Sequence, residues 1–178
     1  MKISNLEGVP VMERQDLLAK PVADAIRNQN LSEVEVVEID PSFADTASFC
    51  ENYKVGLNQS ANCVVIETKR EGTIKYVTCM VLATTKADVN NLLRKHMDVR
   101  KASFAKMDEA IALTGMEYGG ITPIGLPSDW VILVDSKVTE TPYVIIGSGI
   151  RKSKLIVPGK LLASLPNAAI LTGLGIPK

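Results

Sequence analysis

Gly119 and Gly120, in the stretch GMEYGGITPIGLPSDW (115–130), and Gly147-Ser148-Gly149, in GSGIRKSK (147–154), are the residue types best suited to chemistry in this chain. A glycine presents its backbone N–H without side-chain obstruction and adopts angles that other residues avoid. Thr122 and Ser148 add hydroxyls, while Pro123 and Pro127 stiffen the first loop. Exposed amides with hydroxyls beside them suit the holding of a carbonyl or phosphate oxygen. Residue types alone favour the plainer reading, in which both loops simply turn the chain.

Other reactive groups form no familiar set. The one histidine, His96, sits beside Arg94 and Lys95 on a predicted helix, and no serine and acid can be placed against it. A surface position is the expectation. Cys50, Cys63 and Cys79 are widely spaced in apolar surroundings, which predicts reduced core thiols and a cytoplasmic location. The cysteines lack the short paired spacings of a zinc site, and the chain has no HExxH motif or carboxylate cluster, so no metal is expected. No Walker loop is present and GSGIRKSK departs from GxGxxG, so no cofactor is expected either.

The elements that must position these loops can be read from periodicity. Residues 14–29 have Leu17, Leu18, Val22 and Ile26 at roughly helical spacing, with Pro21 marking a break or a first turn. VEVVEI (34–39) alternates as a strand, and Asp45 or Thr46 is placed to cap a helix reaching Tyr53. CVVIET (63–68) and IKYVTCMVLAT (74–84) form a predicted hairpin around Gly72, with the second strand central because of its continuous apolar end. Helices are predicted over 87–97 and 106–115, strands over 130–135, 143–149 and 154–157, and a short helix after Pro158. This mixture without strict alternation predicts an α+β or mixed-sheet domain.

The 178 residues, 46% of them hydrophobic, suffice for one domain (1–178) with a substantial core. No apolar run reaches the ~20 residues of a membrane span, and the N-terminus meets acids before any long apolar stretch, so neither a span nor a signal peptide is expected. Net charge is zero, but residues 1–60 carry ten acids and five bases, and residues 61–178 fifteen bases and ten acids. Two basic clusters stand out, one running from Lys86 through Arg94, Lys95, Arg100 and Lys101 to Lys106, the other formed by Arg151, Lys152, Lys154 and Lys160. Either could contact phosphates or simply form a solvated face.

Taken in order, TGMEYGGITPIGLP (114–127), WVILVDSKV (130–138) and IIGSGIRKSKLIVPGKLLASLP (145–166) resemble the YbaK family, which includes the editing domain associated with bacterial prolyl-tRNA synthetase and its freestanding relatives. LLAKPVADAI, VEVVEID and DTASFCENYKVGL agree in outline, so the resemblance spans roughly residues 15–170. It implies a mixed, largely antiparallel sheet partly closed as a barrel and surrounded by helices. It also implies hydrolysis of the ester joining a wrong amino acid to the 3′ adenosine of a tRNA, with the attacking water oriented partly by the substrate. Mischarged tRNA is the implied partner.

By this resemblance the amides of Gly119 and Gly120 are the candidates to hold the acyl carbonyl. Ile121, Thr122, Pro123, Gly147, Ser148 and Gly149 are expected around the substrate, with Met80 a further candidate for the pocket wall. One departure matters: many editing members carry a lysine in a pattern like Ala-Lys-Thr-Leu, and Asn62 stands there in Ser60-Ala61-Asn62-Cys63. Asparagine donates hydrogen bonds but carries no charge, so Lys86 or Lys154 is expected to supply the cation. The alternative expectation is a non-catalytic module that binds tRNA or an aminoacyl-nucleoside ligand.

Overall fold

A computed structural model describes residues 1–178. The strands are β1 (Lys2–Ile3), β2 (Leu6–Glu7), β3 (Val9–Pro10), β4 (Glu35–Glu38), β5 (Ala61–Arg70), β6 (Thr73–Leu82), β7 (Thr85–Ala87), β8 (Lys101–Phe104), β9 (Val131–Asp135), β10 (Tyr143–Gly147), β11 (Ser153–Pro158), β12 (Ala168–Leu171) and β13 (Gly175–Pro177). The helices are α1 (Lys20–Asn28), α2 (Thr46–Tyr53), α3 (Arg94–Met97), α4 (Met107–Thr114), α5 (Ser136–Glu140) and α6 (Gly159–Ala163). The result is a mixed α+β architecture. No helix is long and apolar enough to cross a membrane.

Two sheets dominate. One has the order β12-β9-β6-β5-β8 and the other, wholly antiparallel, β10-β11-β4-β3. β6 runs antiparallel to β5 and parallel to β9, which accounts for its unbroken burial from Val77 to Leu82. Glu71 and Gly72 both take positive φ, 51° and 81°, at the β5–β6 turn, as a two-residue hairpin requires. The two sheets remain separate and are linked by one parallel bridge, Ser60 to Ile145.

Side-chain alternation divides the core. Met80 and Leu82 join Ile132, Val144, Ile146, Leu155 and the α1 residues Val22 and Ile26 in the main cluster between the sheets. Val77, Cys79 and Val81 face the opposite way, toward Leu93 and Leu174. Phe49 and Cys50 of α2 cover the outer face of the smaller sheet with Val37, Ile145 and Ile156.

Two expected helices are shorter than their periodicity implies. Residues 11–17 form two 3₁₀ turns, and α1 begins only at Lys20 with Pro21 in its first turn, because proline supplies no N–H to extend a helix across it. Over 87–97, β7 ends at Ala87, a π turn spans Val89–Leu93 and α3 is a single turn. Here the distant β13 claims β7 by pairing Ile176 with Lys86, and the Asp88 side chain accepts from the Asn91 N–H (3.2 Å) to start the turn late.

Candidate functional site

The two glycine-rich loops are one structure. The Gly149 N–H donates to the Gly120 carbonyl (2.7 Å) and the Glu117 N–H to the Gly149 carbonyl (2.8 Å). The Glu117 carboxylate accepts the Arg151 N–H (2.7 Å), while the Arg151 guanidinium donates to the Tyr118 and Pro41 carbonyls, each at 3.1 Å. Close approach is what demands glycine here. A Cβ on Gly147 would lie 2.6 Å from the Gly120 carbonyl oxygen, and one on Gly120 would lie 2.9 Å from the Ile150 backbone. The loops therefore form a single rigid wall.

That wall bounds a cavity of about 320 Å³. Gly119, Ile121 and Gly147 line one side; Ala61 to Val64 at the start of β5 line another; Ala44, Asp45 and Thr46 bring in the N-terminus of α2. Lys154 reaches in from β11, and Tyr118 and Met107 border the same space.

Its lining includes donors that no protein atom engages. The N–H groups of Gly119 and Ile121 donate to no protein atom, whereas the Gly120 N–H is committed to the Glu117 carbonyl (2.9 Å). The expected donor pair Gly119 and Gly120 is thus not the free pair, because the turn consumes the second amide. Asn62 accepts from the Thr46 hydroxyl through Oδ1 (2.7 Å), an arrangement that aims its amide by way of α2.

Lys154 is 7% exposed. Its ammonium donates to the Ala44 carbonyl (2.9 Å) and lies 5.2 Å from the centroid of the Phe49 ring, with no carboxylate in salt-bridge range. Burial lowers its pKa to about 8, partly offset by Cys50 and Asp45. Burial also pushes the Cys63 thiol well up, and the Cys50 and Cys79 thiols in the same direction. Burial thus works against a thiolate at all three positions.

Several expected site residues lie elsewhere. Thr122 is fully buried, its hydroxyl without a partner, and Met80 belongs to the main core. Pro123 lines a separate cavity with Pro127 and Trp130. Ser148 is buried and bonded to the Ser153 hydroxyl (2.6 Å), and Ser153 in turn donates to the Leu17 carbonyl. Gly149 packs against Ala19. These residues hold the wall from behind. Lys86 is exposed on β7, paired across to β13, and does not line the cavity. His96 is exposed, and no three His, Cys, Asp or Glu side chains converge to hold a metal.

Asp45, Thr46, Cys63, Tyr118 and Met107 carry no sequence signal that places them at a site. Asp45 was legible only as a helix cap, and it is one: its carboxylate accepts the Ser48 N–H (3.3 Å). The same cap turns the start of α2 toward the cavity, where Asp45 is the one lining carboxylate.

Residues 40–165 match the model of the family described as aminoacyl-tRNA editing domain, a span that contains every residue lining the cavity. Among solved structures, the chain is similar to a protein assigned provisionally as a trans-editing enzyme for prolyl tRNA synthetase, with 19% identity and a TM-score of 0.74 over 86% of this chain and 94% of that one. It is also similar to hypothetical protein APE2540, with 16% identity and a TM-score of 0.76 over 88% and 100% of the two chains. At these identities the likeness is one of fold.

Proposed function

Because the chain belongs to the aminoacyl-tRNA editing domain family, we propose that it hydrolyses the ester of a mischarged aminoacyl-tRNA in trans. The observation that carries this reading is the donor-rich cavity, with two uncommitted amides on a rigid loop wall and a buried ammonium nearby. An ester carbonyl that becomes an oxyanion needs donors already in place, each worth about 2.7–4 kcal/mol to a hydrolase. Gly119 and Ile121 supply the N–H groups, and Lys154 supplies the positive charge that Asn62 lacks.

In this mechanism water adds to the acyl carbon and the oxyanion is held by the loop amides. The bond to the ribose oxygen then breaks, the ribose oxygen takes a proton, and the free amino acid departs. As the resemblance to the YbaK family implies, the hydroxyl next to the ester on the ribose orients the water in part. Asp45 suits the α-ammonium of the aminoacyl group. Incubation with a panel of mischarged tRNAs tests the reading: release of one or more amino acids above a buffer control is expected, and release of none refutes it.

Asn62 favours a second reading, a module that binds the same ligand without turnover. In that case Asn62→Lys gains hydrolysis where the wild type has none.

A further inference from the structure

The cavity opens beside an aromatic ring that the hydrolytic mechanism does not use. Tyr118 borders the cavity and is nevertheless 56% exposed, and Met107 beside the same space is 44% exposed. The ring is not adrift. The Arg151 guanidinium carbon lies 5.8 Å from its centroid, and that guanidinium is fixed by the Tyr118 and Pro41 carbonyls. Arg151 makes no salt bridge, because the only carboxylate bonded to it, Glu117, takes its backbone N–H. Its charge therefore remains available.

A stacked ring backed by an unneutralised arginine, at the rim of a polar cavity, has the chemistry that single-stranded nucleic acid seeks: a π-face for a base and a cation for its phosphate. We propose that Tyr118 is the stacking platform for the terminal nucleobase of an RNA 3′ end, with Arg151 holding the ring and attracting the adjoining phosphate. The proposal rests on the reading of the cavity as an ester site, since it places the base outside while the acyl group lies within. It adds what that reading lacks, a residue that binds the nucleotide rather than the amino acid.

The test uses the full chain and a single-stranded oligoribonucleotide with the tRNA 3′ sequence, its terminal adenine replaced by fluorescent 2-aminopurine. Wild type and Tyr118→Phe are expected to bind it and quench the fluorescence. Tyr118→Ala and Tyr118→Leu are each expected to weaken binding by about tenfold and to abolish quenching, Leu because it keeps apolar bulk without a π-face. Tyr143→Ala, at an exposed position outside the cavity, should behave as wild type. Absence of quenching by the wild type, or equal quenching by folded Tyr118→Ala, overturns the platform. The two proposals fail separately. Hydrolysis of aminoacyl-tRNA with a KM indifferent to Tyr118 overturns the platform alone, whereas Tyr118-dependent quenching without any hydrolysis keeps it and overturns the deacylase.

Discussion

At the scale of single residues, Lys154 carries the account. Its proton is held less firmly in the folded chain, where burial lowers the pKa to about 8, than in the unfolded chain. Between about 8 and the ordinary lysine value the unfolded state binds more protons, so this group makes stability rise with pH across that window. At neutral pH it is a net cost. Lys154→Met is therefore expected to raise unfolding free energy at pH 7 by about 1–3 kcal/mol, a gain that shrinks in urea titrations repeated toward pH 10. The same variant should lose at least about tenfold in ester hydrolysis. Wild-type turnover, corrected for spontaneous hydrolysis, should fall as pH passes about 8. Lys86→Met should change neither quantity, since Lys86 is exposed and remote from the cavity wall.

Among the elements, the paired loops and the end of β9 make separate predictions. Gly147→Ala drives a methyl into the Gly120 carbonyl, so it should lower stability by about 1–3 kcal/mol and reduce hydrolysis through displacement of the loop wall, read from urea midpoints and initial rates. Asp135 sits at the end of β9, 1% exposed and without a hydrogen-bond partner on either carboxylate oxygen. Burial pushes its carboxyl up, while the Gly175 amide, the Lys137 charge and the Lys137 and Ser136 amides offset part of this. A raised carboxyl pKa means that stability falls as pH rises through the window above the ordinary value. Asp135→Asn should thus stabilise the protein at pH 7 by about 1 kcal/mol, with no gain once both states are protonated. The elements legible in the sequence were those with a local cause: the Gly72 turn, the Asp45 cap and the apolar end of β6. β7, β8, β12 and β13 escaped because each is only three or four residues long and defined by a distant partner. The site was half legible for the same reason. Glycine-rich loops announce free amides, but only tertiary hydrogen bonding decides that the Gly120 amide is spent and the Ile121 amide is not.

For the whole molecule, two sheets meeting at the Ser60–Ile145 bridge leave the cavity between the start of β5, the start of α2 and the joined loops. No single element contains the site, which is why Lys154 and Asn62, 92 positions apart in sequence, line one space. Zero net charge hides a basic C-terminal portion; if that portion contacts phosphates, RNA binding should weaken as salt rises. A filter-binding series with tRNA over increasing salt should show a negative slope; a flat one would exclude those contacts. Timed release of labelled amino acid from a panel of mischarged tRNAs, with wild type and Lys154→Met run side by side, decides whether this cavity hydrolyses the ester. Release of at least one amino acid by the wild type, lost in the variant, is the predicted result. No release from any tRNA, or equal release by both proteins, would contradict it.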